Sequence, residues 1–200
     1  PMTKRLIGRA VIIFYTIVLI GSASFRYYRE SNVRDNHAFA VSQLQLFRGR
    51  VKTFKEFDLD GNGYKDYPAS IASMYYSFDL KGKMIRLINE DVAQADFLTK
   101  GREKTYEHTW TPRPKKNYWF AIIPFMADGT PYSEKRETKY AICVFPAVYG
   151  DNGKHTFIMD ETGVIYKKDT YKGELIKKWP GLNPEYEDWD EVDEDLFFEP

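Results

Sequence analysis

Between Asp58 and Asp66 the chain reads DLDGNGYKD, where oxygen-bearing side chains recur at a spacing suited to chemistry. Aligned to a calcium loop of the EF-hand type, Asp58, Asp60 and Asn62 fall at positions 1, 3 and 5, Gly63 at the turning position 6, the Tyr64 carbonyl at 7 and Asp66 at 9. Carboxylate, amide and carbonyl oxygens in that order suit Ca2+, held as a structural clamp and not as a catalyst. Position 12, where a bidentate Glu would close the shell, is Ala69, so a filled site stays open or borrows a ligand such as Asp79 or water. The competing reading is an Asx-rich turn that ends a helix, and the pattern alone leaves both open.

Little else in the chain looks reactive. His37, His108 and His155 lie in three unrelated contexts, none of them a nucleophile elbow, a zinc-protease helix or a triad motif. The glycine-rich DGNG and GDNGK stretches lack the strand-loop-helix frame that cradles phosphate, and read as turns. The lone Cys143, inside YAICVF, excludes an intramolecular disulfide and a cysteine metal cluster, and reads as a buried strand residue. No enzyme is expected. The 29 basic and 29 acidic residues cancel, and RPKKNYWF is a local basic stretch without a wider basic face, so nucleic acid is not an expected partner.

The elements that position the loop begin at the N-terminus. From Leu6 to Phe25 the chain is dominated by Val, Ile, Leu, Phe and Tyr and carries no charge after Arg9. That composition predicts a membrane anchor over 1–25, with Lys4, Arg5 and Arg9 on the inner side and the remainder exported; a cleaved signal peptide ending near GSAS is the alternative. Beyond it, Val33, His37, Ala40, Leu44, Phe47, Val51 and Phe54 recur at alternating steps of four and three, the seam of an amphipathic helix over 26–57 continuous with the span. His37 on this seam reads as a packed or partly exposed helix residue, since no second His or Cys lies a turn away.

An α+β head is expected over 58–178: a short helix at IASMYYSF, a helical or mixed segment at KMIRLINEDVAQADFL, and then strands at NYWFAIIPF, KYAICVFPAVY, HTFIMD and VIYKKD separated by glycine turns. Laying the helix seam on this antiparallel β-meander buries both. The acidic tail over 179–200 reads as a solvated extension docked by Trp179 and Trp189; a contact strip for a basic partner or a loose divalent-ion binder is the alternative.

This order of parts, with FKEFDLDGNGYKDYPASIASMYY, KNYWFAIIPF, FPAVYGDNGKHTFIMDETGVIYKKD and the Trp of PEYEDW, resembles type IV pilin and pseudopilin-like proteins of the bacterial envelope. The resemblance implies a structural or assembly subunit of a filament or secretion-type complex in the cell envelope, with itself or envelope proteins as partners. Ala10, Val11, Ile12, Ile13, Phe14, Ile17, Val18, Leu19 and Ile20 would then serve membrane storage or assembly, and Ala40, Leu44, Phe47, Val51 and Phe54 would hold the head. The chain departs from the pilin pattern where Arg9 follows Gly8 and where no acid occurs before Glu30. A membrane-tethered, non-polymerising binding or accessory module is the alternative.

Overall fold

A computed structural model of the chain describes residues 2–99, 111–151 and 153–193, the side chains of residues 2–14, Ala23 and Thr99 excepted. Helix α1 runs unbroken from Met2 to Glu56, consistent with a stretch that contains no proline. It stops in a pair of backbone bonds: the Asp58 N–H donates to the Lys55 carbonyl at 3.2 Å and the Leu59 N–H to the Phe54 carbonyl at 3.1 Å. Asp58 takes the left-handed conformation that this closure needs, with φ 46°. The helix stop is therefore the first residue of the DLDGNGYKD loop.

The sheet is a plain meander. Strands β1 (Tyr118–Ile122), β2 (Ala141–Pro146), β3 (His155–Asp160), β4 (Ile165–Asp169) and β5 (Asp190–Glu191) pair antiparallel in chain order. Alternation along the strands sends side chains to two faces. On one face Tyr118, Phe120, Ile142, Val144 and Phe157 pack with Ala40, Leu44, Phe47, Val51 and Phe54 of α1. On the other, Trp119, Cys143, Phe145 and Ile158 pack under Tyr132, Trp179 and Trp189. Because both faces are covered, β2 is buried along its whole length and reads as a continuous apolar run.

Between helix and sheet the chain makes two single helical turns, α2 (Ser73–Tyr76) and α3 (Glu90–Ala93), packed on each other. The Asp96 carboxylate links this region to the sheet entry, accepting from the Ala72 N–H at 2.8 Å and the Leu98 N–H at 3.0 Å. Burial raises that carboxyl to about 6 despite those donors.

The segment after Lys83, expected to be helical or mixed, is mixed: it holds the single turn α3, a 3₁₀ turn at Phe97–Thr99 and non-helical backbone around them. Two expectations need correction. The described part of the acidic tail docks through the buried Trp179 and Trp189 as expected, but it is more than a solvated extension. Its backbone supplies β5 to the open edge of β4, Val192 is buried in the main core, and the acidic side chains of β5 stay exposed. Finally, among the described residues no helix is long and apolar enough to cross a membrane. Residues 15–25 give about 16 Å of helix, against a hydrocarbon layer of about 30 Å. The earlier part of the expected anchor, with Ala10, Val11, Ile12, Ile13 and Phe14, lies outside the residues whose side chains are described.

Candidate functional site

The loop after α1 gathers its polar groups around Asn62. The Asn62 amide donates to Asp60 Oδ2 at 3.1 Å and to Asp66 Oδ1 at 3.4 Å, while its own oxygen accepts from the Tyr64 N–H at 2.7 Å. Asp58 Oδ2 accepts from the Gly63 N–H at 3.1 Å. The second oxygens of Asp58 and Asp60 are buried without a hydrogen-bond partner. Burial, with the charges of Asp66 and Asp58, holds the Asp60 carboxyl above the usual carboxylate range.

One cation already serves this loop. The Arg136 guanidinium pairs with Asp66 Oδ2, and the Tyr67 N–H donates to the Arg136 carbonyl at 2.8 Å. The ion pair therefore joins the end of α1 to the β1–β2 connection. Among the described residues no three His, Cys, Asp or Glu side chains converge on a metal position. The donor set is hard oxygen and two buried oxygens lack partners, which fits Ca2+ in chemistry, but the Asn62 amide N–H groups point where a cation would need oxygen. Asp79 is not a lender: its carboxylate accepts from the Lys81 and Lys83 N–H groups at 2.9 and 2.8 Å and closes its own turn.

The seam of α1 makes the helix part of the head. Ala40, Leu44, Phe47 and Val51 are fully buried and Phe54 nearly so. The Phe47 ring stands edge-on to Phe120 with centroids 5.7 Å apart. Arg48 donates to the Gly163 carbonyl and Lys55 to the Glu137 carbonyl, which fixes the register of helix on sheet. The preceding turns are bare. Ile17, Val18, Leu19 and Ile20 are 50 to 67 % exposed, and Tyr15, Phe25, Tyr27 and Tyr28 are exposed as well.

At the neck between these two halves the fold brings together two histidines that lie far apart in the sequence. The His37 and His155 rings are T-shaped with centroids 4.9 Å apart, and His37 Nε2 accepts from the Lys154 N–H at 3.4 Å. Burial, then the charges of His155, Lys167 and Lys154, lowers His37 to about 4, so both its nitrogens are uncharged at neutral pH. Burial also lowers His155. The sequence offered one signal for this pair, the seam position of His37; the partner on β3 follows from strand register alone. The adjoining cleft, of about 500 Å³, has no Ser, Thr or Cys in its lining. A more apolar cleft of about 390 Å³ lies beside Tyr67, Phe125, Tyr132 and Tyr140, and its two cations, Arg136 and Lys139, are paired with Asp66 and Glu161. Cys143 is buried, and its thiol is pushed up to about 12 by loss of solvent.

Residues 102–192 match the model of a family described as a protein of unknown function, DUF2950. That stretch is just under half of the chain. It contains all five strands and stops short of α1 and of the DLDGNGYKD loop. No curated protein and no solved structure matches the chain.

Proposed function

We propose that this protein is a non-enzymatic, pilin-like structural or assembly subunit of the bacterial cell envelope. In this reading the second half of α1 carries the head, and the apolar first half is covered by the same segment of other copies while it holds the chain in the envelope. The observation that carries the reading is the change along one unbroken helix: Leu44 and Phe47 are fully buried in the head, whereas Ile17 and Leu19 are 63 and 67 % exposed. A helix apolar on all sides is stable only when something covers it, and the head does not reach that far.

The DLDGNGYKD loop serves this role as a clamp at the helix end. Arg136 supplies its resident charge, and Ca2+ would engage the free oxygens of Asp58 and Asp60 after the Asn62 amide turns its oxygen inward, with the Tyr64 carbonyl and Asp66 as the remaining donors. Millimolar calcium would then raise the melting temperature, and chelation would reverse the rise.

A second reading, a membrane-tethered module that does not polymerise, is favoured by Arg9 and by the lack of any acid before Glu30 to set register between neighbouring helices. Negative-stain imaging of native envelope material separates the two. Sheared filaments that contain the chain support the assembly subunit; a discrete particle that never exceeds one copy per complex would overturn it.

A further inference from the structure

At the neck, where the bare part of α1 meets the head, the cleft of about 500 Å³ is lined by four cationic side chains and one carboxylate. The cations are Arg26, Arg29 and Arg34 from α1 and Lys154 from the connection before β3; the acid is Glu30. We propose that this cleft binds a phosphate-bearing anion, and that the bearer is the headgroup of an anionic phospholipid. The proposal rests on the membrane-tethered reading above, in which the apolar segment before Arg26 lies against a membrane.

Three features of the cleft argue for an anion. Arg29 is held in place by the backbone, donating to the Gly150 carbonyl and, at 3.4 Å, to the Asp151 carbonyl. Those bonds leave other guanidinium N–H groups of a five-donor fork free to face the cleft. Arg26 and Arg34 make no hydrogen bond or ion pair with any described residue, and four cations face the single carboxylate of Glu30 in the lining. The connection before β3 adds the Lys154 ammonium, so cations converge on the cleft from two separate elements. Planar, multidentate donors around a concave site are the arrangement that recognises phosphate oxygens.

The position argues for lipid as the source. Arg26 follows the exposed Ile20 by six residues, about 9 Å along the helix, and Arg34 by about 21 Å. Apolar turns embedded in lipid would place this group of cations at the phosphate layer, where each basic residue near an anionic surface strengthens binding.

The test uses the full chain and its R26Q/R34Q double variant, with R113Q, at a largely exposed arginine outside the cleft lining, as control. Co-sedimentation with vesicles of phosphatidylcholine alone and with 30 % phosphatidylglycerol measures the lipid arm. The double variant is expected to lose about 30-fold in affinity for the anionic vesicles and nothing for the neutral ones, while R113Q behaves as wild type. In parallel, the imidazole resonances of His37 and His155 are followed during titration with inorganic phosphate, which should move them and raise the His155 pKa. A response to phosphate without a preference for anionic vesicles assigns the same cleft to a soluble phosphate ester. Failure to bind any vesicle while phosphate still moves the histidines defeats the membrane reading and leaves the site standing. If neither the vesicle preference nor the resonances depend on Arg26 and Arg34, the proposal is wrong.

Discussion

Replacing Phe47 with Ala tests whether α1 is part of the head's core or a separate stalk. Phe47 is fully buried, and its ring meets Phe120 of β1 edge-on at 5.7 Å. Removing a buried phenyl ring costs about 3–5 kcal/mol in lost transfer energy and cavity formation. The edge-on ring pair accounts for about 0.5–1.5 kcal/mol of that loss. For a domain of this size each kcal/mol lowers Tm by about 2–4 °C, so the expected fall is about 10 °C. The control is the adjacent Leu46, which is 52 % exposed; Leu46→Ala should change stability by less than about 0.5 kcal/mol. Urea unfolding of the full chain, followed by tryptophan fluorescence, reads both, because Trp119 and Trp189 lie on the sheet face away from α1 and report the head as a whole. Equal effects of the two substitutions, or a Phe47→Ala loss below about 1 kcal/mol, would show that the helix does not share the core of the sheet.

Three further outcomes are expected. Gly49 lies inside α1 with open space where a Cβ would stand, so Gly49→Ala should stabilise the chain by about 0.5–1 kcal/mol, read as a higher urea midpoint at unchanged slope. His37 falls from 6.5 in the unfolded chain to about 4 in the fold. Stability is therefore full above pH 6.5 and declines as pH drops toward 4, because the unfolded chain takes up the proton first. The loss approaches about 3 kcal/mol and should be absent from the pH dependence of His37→Phe. The raised pKa of Asp60 means that its charge costs stability at neutral pH. Asp60→Asn should then melt higher than wild type in chelator and gain less from added calcium; a lower melting temperature in chelator would contradict the electrostatic account.

Local regularity made much of this fold legible. The four-and-three spacing from Val33 to Phe54 set the buried face of α1, and the β-branched and aromatic runs marked β1 to β4 between their glycine turns. What stayed hidden depends on long-range pairing. Strand β5 is two residues long, and its acidic side chains disguise a backbone that completes the edge of β4. Asp96 reads as an ordinary surface acid until the Ala72 and Leu98 amides are brought to it. The spacing of DLDGNGYKD pointed to oxygen ligands, yet it could not show that Asp58 would also be the left-handed stop of α1 or that Arg136, seventy residues on, would claim Asp66. The neck cleft was equally invisible, because Lys154 and His155 join the arginines of α1 only when β3 is in register.

The central claim is that the exposed apolar half of α1 is a contact between copies. Leu19→Cys in the full chain tests it directly, since the native Cys143 is buried and its thiol, held near 12, gives no background. Copper–phenanthroline oxidation of cells producing the variant should yield covalent dimers through Leu19→Cys, whereas Leu182→Cys, fully exposed in the segment before β5, should yield none under the same conditions. Monomer alone at Leu19→Cys, with the thiol shown by mass labelling to be present and reactive, would contradict the account.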